Sequence, residues 1–277
     1  MSKHQSFDIR EDKVVTIIVG MYYNCKQGAI VVADSRAMRG GDYSQDQKLF
    51  KVSDDVLFAS SGLSGMVEKL LPSVEKTRLS TRRFLTSEIL EIFEDEMAKL
   101  NERYKYTRPY RFSTNETLLR AIIGLIDENK PKLYTLYDNG YGEIIRDYHA
   151  VGHGARHAQN ILRTLYKPDV TKDRAIEIAV HVLSEVAEVD AMVDAYPQVG
   201  ILELDGDKAT VTVLNEDEGG EFNILASYAE PIKGRVKGIE QKRAEIFHAV
   251  LDGKINIDDI VLENTKKEKA DANKKPK

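Results

Sequence analysis

The feature that most limits the fold is a hydrophobic period that switches repeatedly along the chain. Between residues 14 and 60, short β-branched apolar runs alternate with polar turns: VVTIIVGMYY (14–23), NCKQ, GAIVVA (28–33), then LFKV (49–52), SDD and VLFAS (56–60). Runs of this kind read as paired strands. From Leu63 the spacing becomes helical through Met66, Val67, Leu70, Leu71 and Val74, with Pro72 expected to kink or end the helix. A longer helix follows, with Leu85, Ile89, Phe93, Met97, Leu100 and Tyr104 on one face and Glu and Lys on the other. Strand character returns in LLRAIIGLI (118–126), KLYTLY (132–137) and GEIIRDYHAV (142–151), joined by DENKP and DNGYG. Ala158, Ile161, Leu162 and Leu165 then mark one helix, and Ile176, Ala179, Val180, Leu183 and Ala187 another, for which Thr171 is the expected cap. A final hairpin pairs QVGILEL with KATVTVL around Asp205-Gly206-Asp207. Residues 236 to 252 read as a helix, and the Lys-rich tail from Asn264 as disordered.

Strands, two helices, strands, two helices, strands: this order buries every apolar face if two sheets pack face to face with a helix pair outside each. The expected class is therefore α+β, a four-layer αββα sandwich. A chain of 277 residues is long enough to build it as one domain.

Charge and composition narrow the function. The net charge of −5 is spread through interleaved acids and bases, which argues against a nucleic-acid partner. RYKYTRPYRF (103–112) alternates bases with aromatics, but reads as a helix end and loop whose tyrosines cover a sheet. Cys25 is the single cysteine, so neither an internal disulfide nor a thiolate zinc cluster is available, as befits a reducing compartment. No apolar run reaches membrane-span or signal-peptide length, and the expected location is the cytoplasm. His149, His153 and His157 are spaced by four, yet the segment runs from strand through a glycine turn into a helix, so no metal site is expected from them.

One stretch needs a chemical explanation: the apolar strand GAIVVA runs into Asp34, with Arg36 two places on. TIIVG (16–20), GAIVVADSR (28–36), the lysine of QKLFKV (47–52) and SSGLSG (60–65), followed by VGHGARHAQNILRTLYKPDVTKDRAIEIAVHVL (151–183), resemble the proteasome β-subunit family of N-terminal-nucleophile (Ntn) hydrolases. The likeness covers roughly residues 14 to 214. It implies a threonine-type endopeptidase subunit acting in intracellular protein degradation within a ring of identical or related subunits. An ATP-dependent unfoldase and unfolded peptide substrates are its implied partners, and the mechanism needs no cofactor.

Carried onto this chain, the resemblance places the nucleophile at Thr16, the acid at Asp34, the essential lysine at Lys48 and the oxyanion-hole glycine at Gly62. Arg36 becomes a buried partner of acidic groups near the site, and Ser60 shapes the substrate pocket. His153 occupies the place of the serine in the family's Gly-Ser-Gly turn, and Asp190 that of a second supporting acid. The implied organisation is a propeptide over residues 1–15, one domain over 16–262 and a Lys-rich tail over 263–277.

A threonine hydroxyl needs a base to take its proton, and a free α-amine, titrating at about 7.7 to 8.0, is suited to that near neutral pH. The implied chemistry thus requires Thr16 to become residue one, after its own hydroxyl attacks the Val15 carbonyl. The Lys48 cation would depress the pKa of amine and hydroxyl, with Asp34 compensating its charge. An N–H at Gly62 would stabilise the tetrahedral oxyanion by roughly 3 kcal/mol. Two other readings stay open. Val15 stands where active members carry glycine, and Val193 and AYP (195–197) replace a serine and paired glycines, which suits an inactive, structural ring subunit. An Ntn amidase or transpeptidase would keep the same nucleophile.

Overall fold

The computed structural model describes residues 16–39, 42–62, 64–80, 86–107, 119–206 and 208–214. The helix expected at 236–252 and the Lys-rich tail lie outside them.

Strands β1 (Ile17–Tyr23) and β2 (Gly28–Asp34) form a hairpin closed by a short 3-10 turn at Asn24–Lys26. All three turn residues have positive φ, and the backbone N–H groups of Asn24 and Cys25 are tied to the carbonyls of Val170 and Pro168, each at 2.8 Å. Next come β3 (Arg36–Arg39), β4 (Asp42–Gln45), β5 (Leu49–Ser53), β6 (Val56–Gly62), α1 (Ser64–Ser80) and α2 (Thr86–Thr107). The second half supplies β7 (Leu119–Asp127), β8 (Lys130–Leu136), β9 (Gly142–Ile144), β10 (Tyr148–Gly152), α3 (Ala155–Leu165), α4 (Lys172–Val189), β11 (Pro197–Asp205) and β12 (Lys208–Leu214). Thr171 caps α4, its hydroxyl accepting from the Arg174 N–H at 3.4 Å.

Two five-stranded sheets result, ordered β10-β1-β2-β11-β12 and β5-β6-β7-β8-β9, with antiparallel ladders throughout; β3 and β4 make a separate hairpin. Side-chain alternation sorts the strands' residues into layers. On β1, Ile17, Val19 and Met21 pack beneath α3 and α4 against Leu162, Ile176 and Leu183. Ile18 and Tyr22 point the other way and meet Leu57, Ala59, Ile122 and Leu133 of the second sheet. That sheet's outer face presents Val56, Phe58, Leu119 and Ile123 to Met66, Leu70, Phe93 and Met97 of the helices α1 and α2. Phe58 and Phe93 stack there with ring centroids 5.2 Å apart. The architecture is the four-layer αββα sandwich of the α+β class.

Three details differ from the sequence reading. Pro72 does not end α1, which continues to Ser80. The missing N–H loses one helical bond, but Met66 and Leu70 before it and Val74 after it are all fully buried, and their packing offsets that loss. The run 142–151 is not one strand. β9 pairs with β8, β10 pairs with β1, and buried Ile145 marks the crossing between sheets, its N–H bonded to the Leu133 carbonyl at 2.8 Å. The β3–β4 hairpin was not anticipated, because RAMR and DYSQ lack apolar alternation.

The register brings several chain segments to one end of the sandwich. Ile17 pairs with Gly152, Ile18 with Ala33, and Pro197 with Asp34. The start of β1 therefore meets the ends of β2 and β10 and the start of β11.

Candidate active site

Thr16 precedes β1 and is 1 % exposed. Its carbonyl accepts from the His153 N–H at 2.7 Å, and its Oγ1 accepts from Lys48 Nζ. Lys48, also buried, lies in the connection between β4 and β5 and donates through the same Nζ to the Arg36 carbonyl. Asp34, the last residue of β2, is fully buried, with Oδ1 3.6 Å from Lys48 Nζ. That oxygen accepts from the Ile17 N–H at 3.0 Å, and Oδ2 accepts from the N–H groups of Arg36 at 3.3 Å and Asp194 at 3.4 Å.

Asp34 and Lys48 pull against their burial. Loss of water pushes the Asp34 carboxyl up, to about 7, while the Lys48 cation and the Ile17 N–H pull it back. Burial likewise lowers Lys48, and the Asp34 charge opposes that shift. Each group is the other's main support in the charged state, so removing one strands the other.

Residues around this centre were invisible to the sequence reading. Gln198 at the start of β11 accepts through Oε1 from the Lys48 N–H at 2.9 Å and the Leu49 N–H at 3.1 Å, and donates to the Asp46 carbonyl at 2.7 Å. It thereby holds the backbone that aims Lys48. Asp194 accepts from the Ser35 N–H at 3.1 Å, the Ser35 hydroxyl at 2.9 Å and the Tyr196 N–H at 3.1 Å. It bolts the loop after α4 to the end of β2. Ser61 turns toward the first sheet with its Oγ buried and unpaired among the described residues. Only the DS of ADSR and the VDAYP stretch hinted at any of this, and neither hint distinguishes a buried anchor from a turn residue.

The other expected residues fall as follows. Arg36 is half-buried rather than buried, and its Nη1 donates to the Ala191 carbonyl. His153 follows β10, its Nδ1 2.6 Å from Asp190 Oδ2. Burial acts to raise the Asp190 carboxyl, but hydrogen bonds from His153 and the Met192 N–H outweigh it and hold the group below its usual range. Ser60 is buried on β6, its N–H bonded to the Lys48 carbonyl at 2.9 Å. Gly62 ends that strand at φ 144°. His149 lies on β10 and His157 in α3. The contacts thus join Thr16, Lys48 and Asp34 directly, Arg36, His153 and Ser60 through backbone atoms, and Asp190 by way of His153, with Gly62 two residues beyond Ser60 on β6.

A buried hydroxyl touched by a lysine, with a carboxylate behind, is an arrangement suited to nucleophilic attack. Comparison with known proteins bears on the family. The family model described as "Proteasome subunit" matches residues 15–202. Proteasome subunit beta of Methanobrevibacter smithii is 24 % identical over 189 residues, covering 65 % of this chain and 84 % of the relative. The subunit beta of Methanothermobacter thermautotrophicus is 26 % identical over 226 residues, covering 81 % and 95 %. A proteasome subunit alpha from Methanococcus maripaludis is 24 % identical over 180 residues, covering 62 % and 65 %.

Proposed function

Since the chain belongs to the proteasome subunit family, we propose that it is a β-type subunit that cleaves peptide bonds with the Thr16 hydroxyl, inside a ring of like or related subunits. The observation that carries this reading is the convergence of Lys48 Nζ on Thr16 Oγ1, with buried Asp34 3.6 Å from the ammonium. Once Thr16 is the first residue, its α-amine takes the hydroxyl proton as Oγ1 attacks a substrate carbonyl. Lys48 lowers the cost of the developing alkoxide, and Asp34 keeps Lys48 charged in a site from which water is largely excluded. The Gly62 N–H receives the oxyanion. The amine then protonates the leaving nitrogen, and water releases the acyl group from Oγ1.

Assembly in a ring, unfolded chains as substrate and feeding by an ATP-dependent unfoldase in the cytoplasm complete the reading. It needs no cofactor. No helix among the described residues is long and apolar enough to cross a membrane. Val15, in place of a small residue before the nucleophile, favours the second reading, a structural subunit that keeps its first residues and does not cleave. Intact mass and peptide turnover separate the two. A mass short by residues 1–15, with turnover, both lost in Thr16→Ala, supports the peptidase; a full-length mass without turnover supports the structural subunit.

A further inference from the structure

Two buried polar atoms on the inner face of the second sheet have no hydrogen-bond partner among the described residues: the Ser61 Oγ and the Arg120 Nε. They belong to neighbours. Ser61 on β6 and Arg120 on β7 are directly paired in an antiparallel register that runs without a shift from Val56 and Leu125 to Gly62 and Leu119. Their side chains therefore leave the same face, with Cβ atoms about 4.5–5.5 Å apart. That face is turned to the first sheet, because Leu57 and Ala59 on the same side of β6 and Ile122 on the same side of β7 all pack between the sheets.

The pair sits at the end of the sandwich that carries Thr16. A Cβ built on Gly152 would meet the Thr16 carbonyl oxygen at 2.0 Å and the Ser61 Oγ at 3.0 Å, so the Ser61 hydroxyl lies beside the backbone of Thr16. Ser61 is 1 % exposed, whereas Arg120 is half-buried and partly open to solvent. The guanidinium carbon stands 6.0 Å from the centre of the Tyr137 ring. Among the described residues no carboxylate forms an ion pair with it, and that of Glu143 is engaged by the Tyr137 hydroxyl at 2.9 Å. An arginine Nε only donates, and a hydroxyl can donate as well, so the two groups together ask for an acceptor. Buried donors left unmade are costly, and a guanidinium without a counter-charge is shaped to hold a carboxylate through parallel N–H bonds.

We propose that Ser61 and Arg120 form a subsite for an acidic side chain of the peptide being cut, so that bonds with Glu or Asp within two residues of the cut are favoured. This rests on the reading that Thr16 is the nucleophile and Gly62 the oxyanion donor. Gly62 directly follows Ser61 on β6. With the cut carbonyl held between Thr16 Oγ1 and the Gly62 N–H, the next residues of an extended peptide follow at no more than about 3.6 Å each. A residue one or two places from the cut therefore brings its carboxylate within a side chain's length of the pair. The carboxylate accepts from the Ser61 hydroxyl and the guanidinium N–H groups and supplies the counter-charge that Arg120 lacks among the described residues.

The test measures kcat/KM on pairs of peptides that differ only in Glu or Gln at one place, the place being moved over the two residues on either side of the cut. The proteins are the full chain as parent, Arg120→Gln, Arg120→Lys and Ser61→Ala. At one of those places the parent should favour Glu by about 10- to 100-fold. Arg120→Gln should bring that ratio to about one, Arg120→Lys should keep part of it, and Ser61→Ala should lower it. A parental ratio near one at every place, or a preference that Arg120→Gln retains, overturns the subsite and leaves the nucleophile reading standing. Thermal unfolding with N-acetylglutamate amide, against N-acetylglutamine amide, gives a readout that needs no turnover. The glutamate compound should raise the parent's Tm with concentration and leave that of Arg120→Gln in place. If no peptide is cut, the nucleophile reading fails and this shift decides the subsite: its presence sustains the carboxylate site, and its absence overturns it.

Discussion

Gly152 and Thr16 are in backbone contact so close that a Cβ on Gly152 would lie 2.0 Å from the Thr16 carbonyl oxygen. The glycine also has φ +103°, a setting that L side chains rarely adopt. Gly152→Ala should lose about 1–3 kcal/mol from the backbone setting alone, plus whatever displacement of Thr16 relieves the clash. Denaturant unfolding should show a lower midpoint, and peptide turnover should fall with it. A variant with parental midpoint and turnover would contradict the close approach.

The Asp34–Lys48 pair makes stability depend on pH in a defined direction. The folded-state pKa of Asp34 is raised, to about 7, so between its unfolded value and that point the folded chain binds the extra proton. Stability from this group is therefore greatest in acid, declines as pH rises, and levels off once the folded carboxyl has ionised. Lys48→Met removes the cation that pulls Asp34 down, so the decline should continue above pH 7, approaching about 1.4 kcal/mol per pH unit. Unfolding midpoints measured from mildly acidic to alkaline pH should diverge between variant and parent on the alkaline side. Parallel curves would mean that the ion pair is not coupled.

The succession of strand groups and helix pairs, and with it the four layers, was legible because apolar strand runs give way to helical spacing between them. The positions of Thr16, Asp34 and Lys48 were legible only through family resemblance, since each residue alone suits a strand, a turn or a surface. What could not be read was set by long-range geometry. Gln198 is 150 residues from the Lys48 N–H that it accepts from, and Asp194 is 159 from Ser35; nothing local marks either as an anchor. The division of 142–151 into β9 and β10 has the same origin. Both halves have strand character, and only the competing sheets decide where the chain crosses.

Catalysis should lose its acid side for a reason that stability does not share. As Asp34 takes up a proton near pH 7, the buried Lys48 ammonium loses the counter-charge that holds and orients it. Peptide turnover should therefore fall below neutrality by about tenfold per pH unit. Asp34→Asn should be about 10²- to 10³-fold slower at neutral pH, the size expected for losing a pre-arranged electrostatic contact, and should keep only the acid limb set by protonation of the Thr16 α-amine. A parental profile that stays flat through mildly acidic pH would dissociate the Asp34 charge from the reaction.

Gln198 offers a separate handle on Lys48, because it touches the lysine's backbone and not its ammonium. Gln198→Leu fills similar space but leaves the Lys48 and Leu49 N–H groups and the Asp46 carbonyl without the partner that they have now. Losing the acceptor for a buried N–H costs about 1–3 kcal/mol, and two such bonds go, so the variant should be markedly less stable. Turnover should fall too, as the connection carrying Lys48 loosens. Gln198→Glu keeps the acceptor for both N–H groups, but an ionised carboxylate faces the Asp46 carbonyl with no proton to donate. In acid the protonated carboxyl restores that donor, so the folded pKa of the new Glu is raised. Its stabilising bond should be present at low pH and lost as pH rises through that pKa. Unfolding at mildly acidic and mildly alkaline pH should then show Gln198→Glu near the parent in the first and approaching Gln198→Leu in the second. A Gln198→Glu variant equally stable at both, or a Gln198→Leu variant with parental turnover, would remove Gln198 from the support of the site.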